Sequence, residues 1–393
     1  MATKRPDLAV DVNETFDTAN HIETYGGYIA PLRRWMEFCM ELQIDPLTFP
    51  YEVEVVIYWI MDEIKRFDSI ASIKRWEASI GWLGDMLGYD NIHWRFNPRY
   101  KSFRKAAMKR WFIPPTQKLP ITIEHLLAMA RKFNIRQSTL YEISFDLLVQ
   151  WTAIVWLFLT FSRPAEVLRR TQKRTDFGLN ISDVQTITLI KGDRKTLRIR
   201  VDRFKNAISR KCVKTIYVRD TECEKPHCTR CDPLNPLHLY RIMMHRRAKL
   251  ARRAPRGSAL HKRLSTSNGD NALFVLHNGR AVTRTIIQRG VDRAISASGM
   301  RQSRQYTPYS LRIGATTQAH RIKLCHAKIL QYVGWKLNSL PDMAYRYTRY
   351  PPQSLQWMAY EMVHGTTAGV AGRGSNTLFD PWVNFRQWRT DRH

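Results

Sequence analysis

Five short segments between residues 161 and 352 carry side chains suited to handling a phosphate group. The first, FSRPAEVLRR, sets Arg163 directly before Pro164, with Glu166 three residues on. Proline suits the first turn of a helix, where its missing N–H would have no partner anyway, so Arg163 is expected at a helix start. A guanidinium there presents a fork of donors to phosphate oxygens, and Glu166 can orient it. The second is Lys205, expected in the turn between two strands, with Lys211 and Lys214 as rivals. The third is YTPYSLRIGATT, whose Tyr309 and Arg312 lie three apart and so share one helical face. The fourth is YVGWKL, with Trp335 and its indole donor. The fifth is PDMAYRYTRYPP, with Tyr345, Tyr347 and Tyr350 set among arginines and prolines. Clustered tyrosines usually pack or stack, so the question is whether one of these hydroxyls reacts.

These groups need elements to hold them. Residues 21–111 read as a small helical domain after an N-terminal arm, 1–20. Tyr28, Leu32, Trp35, Cys39 and Leu42 recur at helical steps, as do Val53, Ile57, Ile60 and Ile64, then Ile73, Trp76, Ile80, Leu83 and Leu87. A shorter basic helix, PRYKSFRKAAMKRW, follows. Pro114, Pro115 and Pro120 then interrupt helical patterning, which places a linker at 112–120 and a second domain at 121–350. In that domain Thr122 is the expected N-cap of IEHLLAMARKF, and a long buried helix is expected at about 140 to 160. Three strand-like runs follow, VQTITLI, TLRIRV and VKTIYV, then further helices and a tail, 351–393. The expected fold class is therefore mainly α with a small antiparallel β-sheet.

The chain has 63 Lys+Arg against 34 Asp+Glu, a formal net charge of +29, spread along its length. So basic a molecule calls for a polyanionic partner, and double-stranded DNA is the first expectation. Neither a signal peptide nor a membrane-spanning run is visible, because the longest apolar stretch, LLVQWTAIVWLFLTF, is too short. A membrane partner and secretion are not expected. A reducing compartment is: the nucleus in a eukaryotic host, otherwise the cytoplasm with the nucleoid.

The ordered set of segments resembles the tyrosine recombinase, or phage-integrase, family, in the form found in eukaryotic and viral mobile elements. The resemblance covers about residues 21 to 350 and rests on R-x-x-E at Arg163, YSLRIGATT at Tyr309–Arg312, Trp335 after a glycine, and Y-x-R at Tyr347. It implies a SAM-like core-binding domain followed by an α+β catalytic domain. It also implies a DNA recombinase, integrase or transposase that cuts and rejoins DNA through a 3′-phosphotyrosyl intermediate, with no cofactor required. In this reading Tyr347 is the nucleophile, Arg163 and Arg312 hold the non-bridging oxygens, and Lys205 is the general acid. Trp335 donates to a phosphate oxygen, and Glu166 supports Arg163. Tyr309 stands where the family has histidine. Trp335 precedes Tyr345 by ten residues and Tyr347 by twelve. The family's interval is slightly shorter than either, so spacing favours Tyr345 and local pattern favours Tyr347. Assembly as a homo-tetramer on DNA, through exchange of the C-terminal tail, is a further implication. The alternatives are a catalytically silent DNA-binding or genome-packaging relative, and strand passage like that of a type IB topoisomerase.

Two segments fall outside that chemistry. CEKPHCTRC brings together Cys223, His227, Cys228 and Cys231, and the C-x-x-C spacing suits a structural zinc that Cys212 or His238 would complete. HRRAKLARRAPRGSALHKR, residues 245–263, is strongly basic and reads as a DNA-backbone contact, a nuclear-localisation signal or a solvated charge run.

Overall fold

The computed structural model describes residues 22–47, 50–89, 93–113, 118–136, 139–171, 178–189, 195–202, 213–221, 232–269, 271–297, 305–324, 329, 332, 362 and 363. The chain divides into two compact units, Met1–Thr116 and Gln117–His393.

The first unit is helical: α1 (Ile22–Glu41), α2 (Val53–Phe67), α3 (Ile73–Met86), the single turn α4 (His93–Phe96) and α5 (Pro98–Trp111). The apolar stripes converge on three buried tryptophans, Trp35, Trp59 and Trp76. Trp35 meets Trp59 edge-on at 5.3 Å, a favoured geometry for aromatic pairs. Leu42 and Leu87, the last residues of two expected stripes, are instead exposed. Each lies just past its helix end, and the left-handed Gln43 (φ 56°) redirects the chain after Leu42. Inside this core Glu63 is fully buried and accepts two bonds from Arg34 Nε at 2.7 and 2.8 Å. On α3, Glu77 accepts from Tyr100 Oη (2.6 Å) and Arg104 Nε (2.7 Å), which fastens α5 in place. The basic side chains of α5, among them Lys101, Lys105, Lys109 and Arg110, point to solvent.

The second unit is built around α7 (Phe145–Leu159), reached through α6 (Ile123–Lys132). Helix α7 is apolar on nearly every face and is buried along most of its length; only Asp146, Leu147 and Gln150, in its N-terminal half, are partly exposed. Its two tryptophans still find acceptors: Trp151 Nε1 donates to Pro233 O (2.6 Å) and Trp156 Nε1 to Pro236 O (3.3 Å). After the short helix α8 (Pro164–Val167) come β1 (Val184–Ile187), β2 (Thr196–Val201) and β3 (Lys214–Arg219). They form an antiparallel sheet with β2 in the centre, in register through Val184, Ile199 and Ile216. Four further helices follow among the described residues: α9 (Pro236–Arg253), α10 (Ala259–Leu264), α11 (Arg284–Ala297) and α12 (Pro308–Arg321). Helix α9 packs along α7, and α12 lies against α7 and α6. Gly314 lets α12 touch the backbone of Ile121, where a side-chain carbon would overlap the carbonyl. The fold is thus mainly α with one small antiparallel sheet, as expected.

The basic stretch 245–263 is helical over most of its length, and its charges are not all solvated. Arg247 is fully buried and donates to four carbonyls, of Arg263, Leu264, Ala272 and Leu273, at 2.8–2.9 Å. Burial lowers its pKa to about 10. Among the described residues no helix is long and apolar enough to cross a membrane.

Candidate active site

The site forms where α7 ends. Phe161 takes a left-handed conformation (φ 52°), a strained state for a bulky residue. The strain is offset by a fully buried ring that packs edge-on against Tyr332 at 5.6 Å. Tyr332 in turn donates from its hydroxyl to Tyr217 O on β3 (3.3 Å), and burial pushes its pKa up. The turn at Phe161 does two things. It delivers the chain to Arg163 at the N-cap of α8, with Pro164 in the first turn. It also frees the Phe161 carbonyl, which accepts from Arg312 Nη1 at 2.8 Å. Arg163 and Arg312, 149 residues apart, are thereby brought to one place.

Glu166 is the hub. It is 5% exposed, and its Oε1 accepts from Arg163 Nη1 at 2.8 Å. Its Oε2 caps the Arg163 backbone N–H at 3.1 Å. The same Oε2 lies 3.8 Å from Lys214 Nζ, beyond hydrogen-bond reach but within ion-pair range. Lys214 Nζ is buried and makes no hydrogen bond among the described residues. Burial lowers the Lys214 pKa to about 8, the attraction of Glu166 opposes that, and repulsion from Arg312 and Arg163 adds to it. Arg312 is 2% exposed, and its pKa falls chiefly through burial, with Arg163 adding to the fall. Among the described residues, three cations therefore gather around the Glu166 carboxylate, an excess of positive charge held in a low-dielectric setting. An anion is the natural complement of such a group. Arg163 is the most accessible of the three, with a quarter of its side chain exposed.

Tyr309 lies in the first turn of α12, three residues before Arg312, and is 43% exposed. Its hydroxyl interacts electrostatically with Arg312. It can donate a hydrogen bond toward the same anion but carries no positive charge. Lys205, Trp335, Tyr345, Tyr347 and Tyr350 lie outside the described residues, as do Cys212, Cys223, His227, Cys228 and Cys231. Among the described residues no group of His, Cys, Asp or Glu side chains is placed to hold a metal ion.

Lys214 is the residue that reading the segments in order ranked behind Lys205. A signal for it exists in strand alternation: Lys214, Ile216 and Val218 share the buried face of β3. A lysine in an inward-facing register needs either a partner or a task. The acceptor carbonyl of Phe161 has no such signal, since nothing in FLTFSRP announces a left-handed phenylalanine.

No protein-family model and no curated protein sequence matches the chain. Among solved structures it is similar to the XerH site-specific recombinase bound to its difH substrate in a pre-cleavage complex. That match has 17% identity, covers 85% of this chain and 78% of the other, and has a TM-score of 0.46. It is also similar to a lambda integrase dimer bound to a COC′ core site, at 11% identity, 95% and 98% coverage and a TM-score of 0.42. A third similar structure is the XerA recombinase, at 14% identity, 84% and 96% coverage and a TM-score of 0.31.

Proposed function

We propose that the chain is a DNA strand-exchange enzyme, a site-specific recombinase, integrase or transposase working through a tyrosyl-phosphate intermediate. The observation that carries this reading is the grouping of Arg163, Lys214 and Arg312 around Glu166, in a chain whose segment order resembles the tyrosine recombinases. Phosphoryl transfer asks for fixed cations around the equatorial oxygens and for an in-line nucleophile. Arg163, accessible and clamped by Glu166, is suited to one non-bridging oxygen. Arg312, pinned by the Phe161 carbonyl, is suited to the other.

In the cleavage step the hydroxyl of Tyr347, or of its rival Tyr345, attacks the DNA phosphorus. The P–O5′ bond breaks, and a 3′-phosphotyrosyl bond and a free 5′-hydroxyl form. The phosphodiester energy stays in the covalent link, so rejoining needs only attack by a 5′-hydroxyl on that phosphorus. The leaving oxygen needs a proton. Lys214, with a pKa of about 8, is mostly protonated at neutral pH and can give it up. Lys205 holds the same assignment through the family resemblance. Tyr309 in place of histidine favours one alternative, a silent relative that keeps DNA binding and lacks cleavage.

Covalent trapping separates these readings. Nicked duplexes made from the DNA that flanks the chain's own gene are incubated with protein, and SDS-resistant adducts are scored. The proposal expects an adduct that Tyr347→Phe abolishes and Tyr345→Phe retains. The reverse pattern moves the nucleophile to Tyr345. An absence of adduct from the wild-type protein on these ends contradicts the enzyme reading.

A further inference from the structure

A second basic site lies at the other end of α7. A cleft of about 290 Å³ is lined by Tyr141, Phe145, His245, Arg246, Lys249 and Arg253, together with Leu250. Helix α7 begins at Phe145 and spans about 22 Å before the chain reaches Phe161 and Arg163. The cleft is therefore well separated from the cations around Glu166. Its frame is fixed: Arg246 Nη1 donates to Leu140 O and Ile143 O, both at 2.8 Å, and its guanidinium lies 6.0 Å from the Phe145 ring. Those bonds tie the turn that carries Tyr141 to α9.

The groups left facing outward are of two kinds. His245, Lys249 and Arg253 follow one another at four-residue steps, so they form a row along α9 with a rise of about 6 Å per step. All three are exposed, and Arg241 extends the row by one more step. The ring of Tyr141 is 60% exposed and meets the His245 ring edge-on at 6.4 Å. Among the described residues that line the cleft, none carries a carboxylate. A regular row of polar and basic side chains, with Lys249 and Arg253 supplying the positive charge, beside an uncovered aromatic ring is the combination that holds an unpaired nucleic-acid strand, with phosphates along the row and a base on the ring. A duplex would present no free base face to Tyr141. An acidic peptide or an anionic lipid would use the cations and have no need of the ring.

We propose that this cleft is a binding site for single-stranded nucleic acid, separate from the candidate active site and independent of cleavage. Tyr141 stacks on a base, and His245, Lys249 and Arg253 follow the backbone.

The test uses the full chain and an oligothymidylate of about twenty nucleotides carrying photoreactive 5-iododeoxyuridine, with crosslinked peptides mapped by mass spectrometry. Crosslinks to the peptides bearing Tyr141 or His245 are expected. Lys249→Glu with Arg253→Glu should reduce them at least tenfold, and Tyr141→Ala should reduce them several-fold while Tyr141→Phe retains them. On a strand of abasic phosphates, affinity should respond to the charge reversals and not to Tyr141→Ala. Thermal melts matching the wild type would show that the variants fold. Crosslinks confined to other peptides would overturn the proposal. So would equal crosslinking by wild type and Tyr141→Ala, which would mark the cleft as a general polyanion surface.

Discussion

Replacing Lys214 with methionine should stabilise the second unit while it damages catalysis. The Nζ is buried, makes no hydrogen bond among the described residues, and stands 3.8 Å from Glu166 Oε2 with two arginines close enough to repel it. A fall in pKa from its ordinary 10.5 to about 8 corresponds to about 3 kcal/mol, at roughly 1.36 kcal/mol per pH unit. The sign follows from proton counts. Below about pH 8 the lysine is charged in both the folded and the unfolded chain, and the full cost is present. Between about 8 and 10.5 the unfolded chain holds more protons, so folding stability rises with pH and the cost fades. Lys214→Met removes the charge and leaves Glu166 paired to Arg163, so it should gain about 1–3 kcal/mol at pH 7 and lose most of that advantage by pH 10.5. Urea titrations at a series of pH values, read by hydrogen exchange of the α7 and β3 amides, measure this within the relevant unit. Destabilisation of Lys214→Met by more than about 2 kcal/mol at pH 7 would refute the reasoning, because the lysine would then be a net stabilising ion pair. A wild-type pH slope identical to that of the variant would refute it equally.

Other outcomes follow from the same contacts. Arg34→Met leaves the fully buried Glu63 without its two bonds from Nε, and should destabilise the first unit by about 3–5 kcal/mol, visible as a drop in its urea midpoint. Gly314→Ala forces a methyl group into the Ile121 carbonyl and should cost about 4 kcal/mol or abolish soluble expression, whereas Gly26→Ala, with open space around it, should be neutral or mildly stabilising. If Lys214 protonates the leaving oxygen, a DNA strand with sulfur at the 5′-bridging position, which leaves without a proton, should restore cleavage to Lys214→Ala. Rescue of Lys205→Ala and not of Lys214→Ala would return the role to Lys205.

Much of this architecture is legible in local chemistry. The period-3.6 stripes locate α1 to α3 because a helix in a small unit must bury one face, and the run from Trp151 to Leu159 is almost wholly apolar because it is central and buried throughout. The stripes overran at Leu42 and Leu87, since periodicity continues past a helix end that only the backbone turn decides. Arg163 at a helix start follows from the proline after it, and the pairing with Glu166 follows from their spacing of three. Long-range closure was less visible. The bond from Arg312 to Phe161 O depends on one left-handed residue whose type gives no hint of it. The buried position of Lys214 depends on which face of β3 turns inward, and that is fixed by the pairing of β3 with β2. Tyr309, Arg312 and the segment order suggested the chemistry, and the grouping of Arg163, Lys214 and Arg312 around Glu166 became visible only in the fold.

The central claim is that Arg163, Lys214 and Arg312 gather around one DNA phosphate. Replacing a single scissile phosphate with an uncharged methylphosphonate tests it most directly, with adduct formation measured for wild type, Arg163→Ala and Arg312→Ala. If the arginines neutralise that phosphate, each variant should lose about 100-fold or more on normal DNA and recover a large part of the loss on the neutral substrate. Equal losses on both substrates would contradict the claim and place these arginines in holding the fold instead of the phosphate.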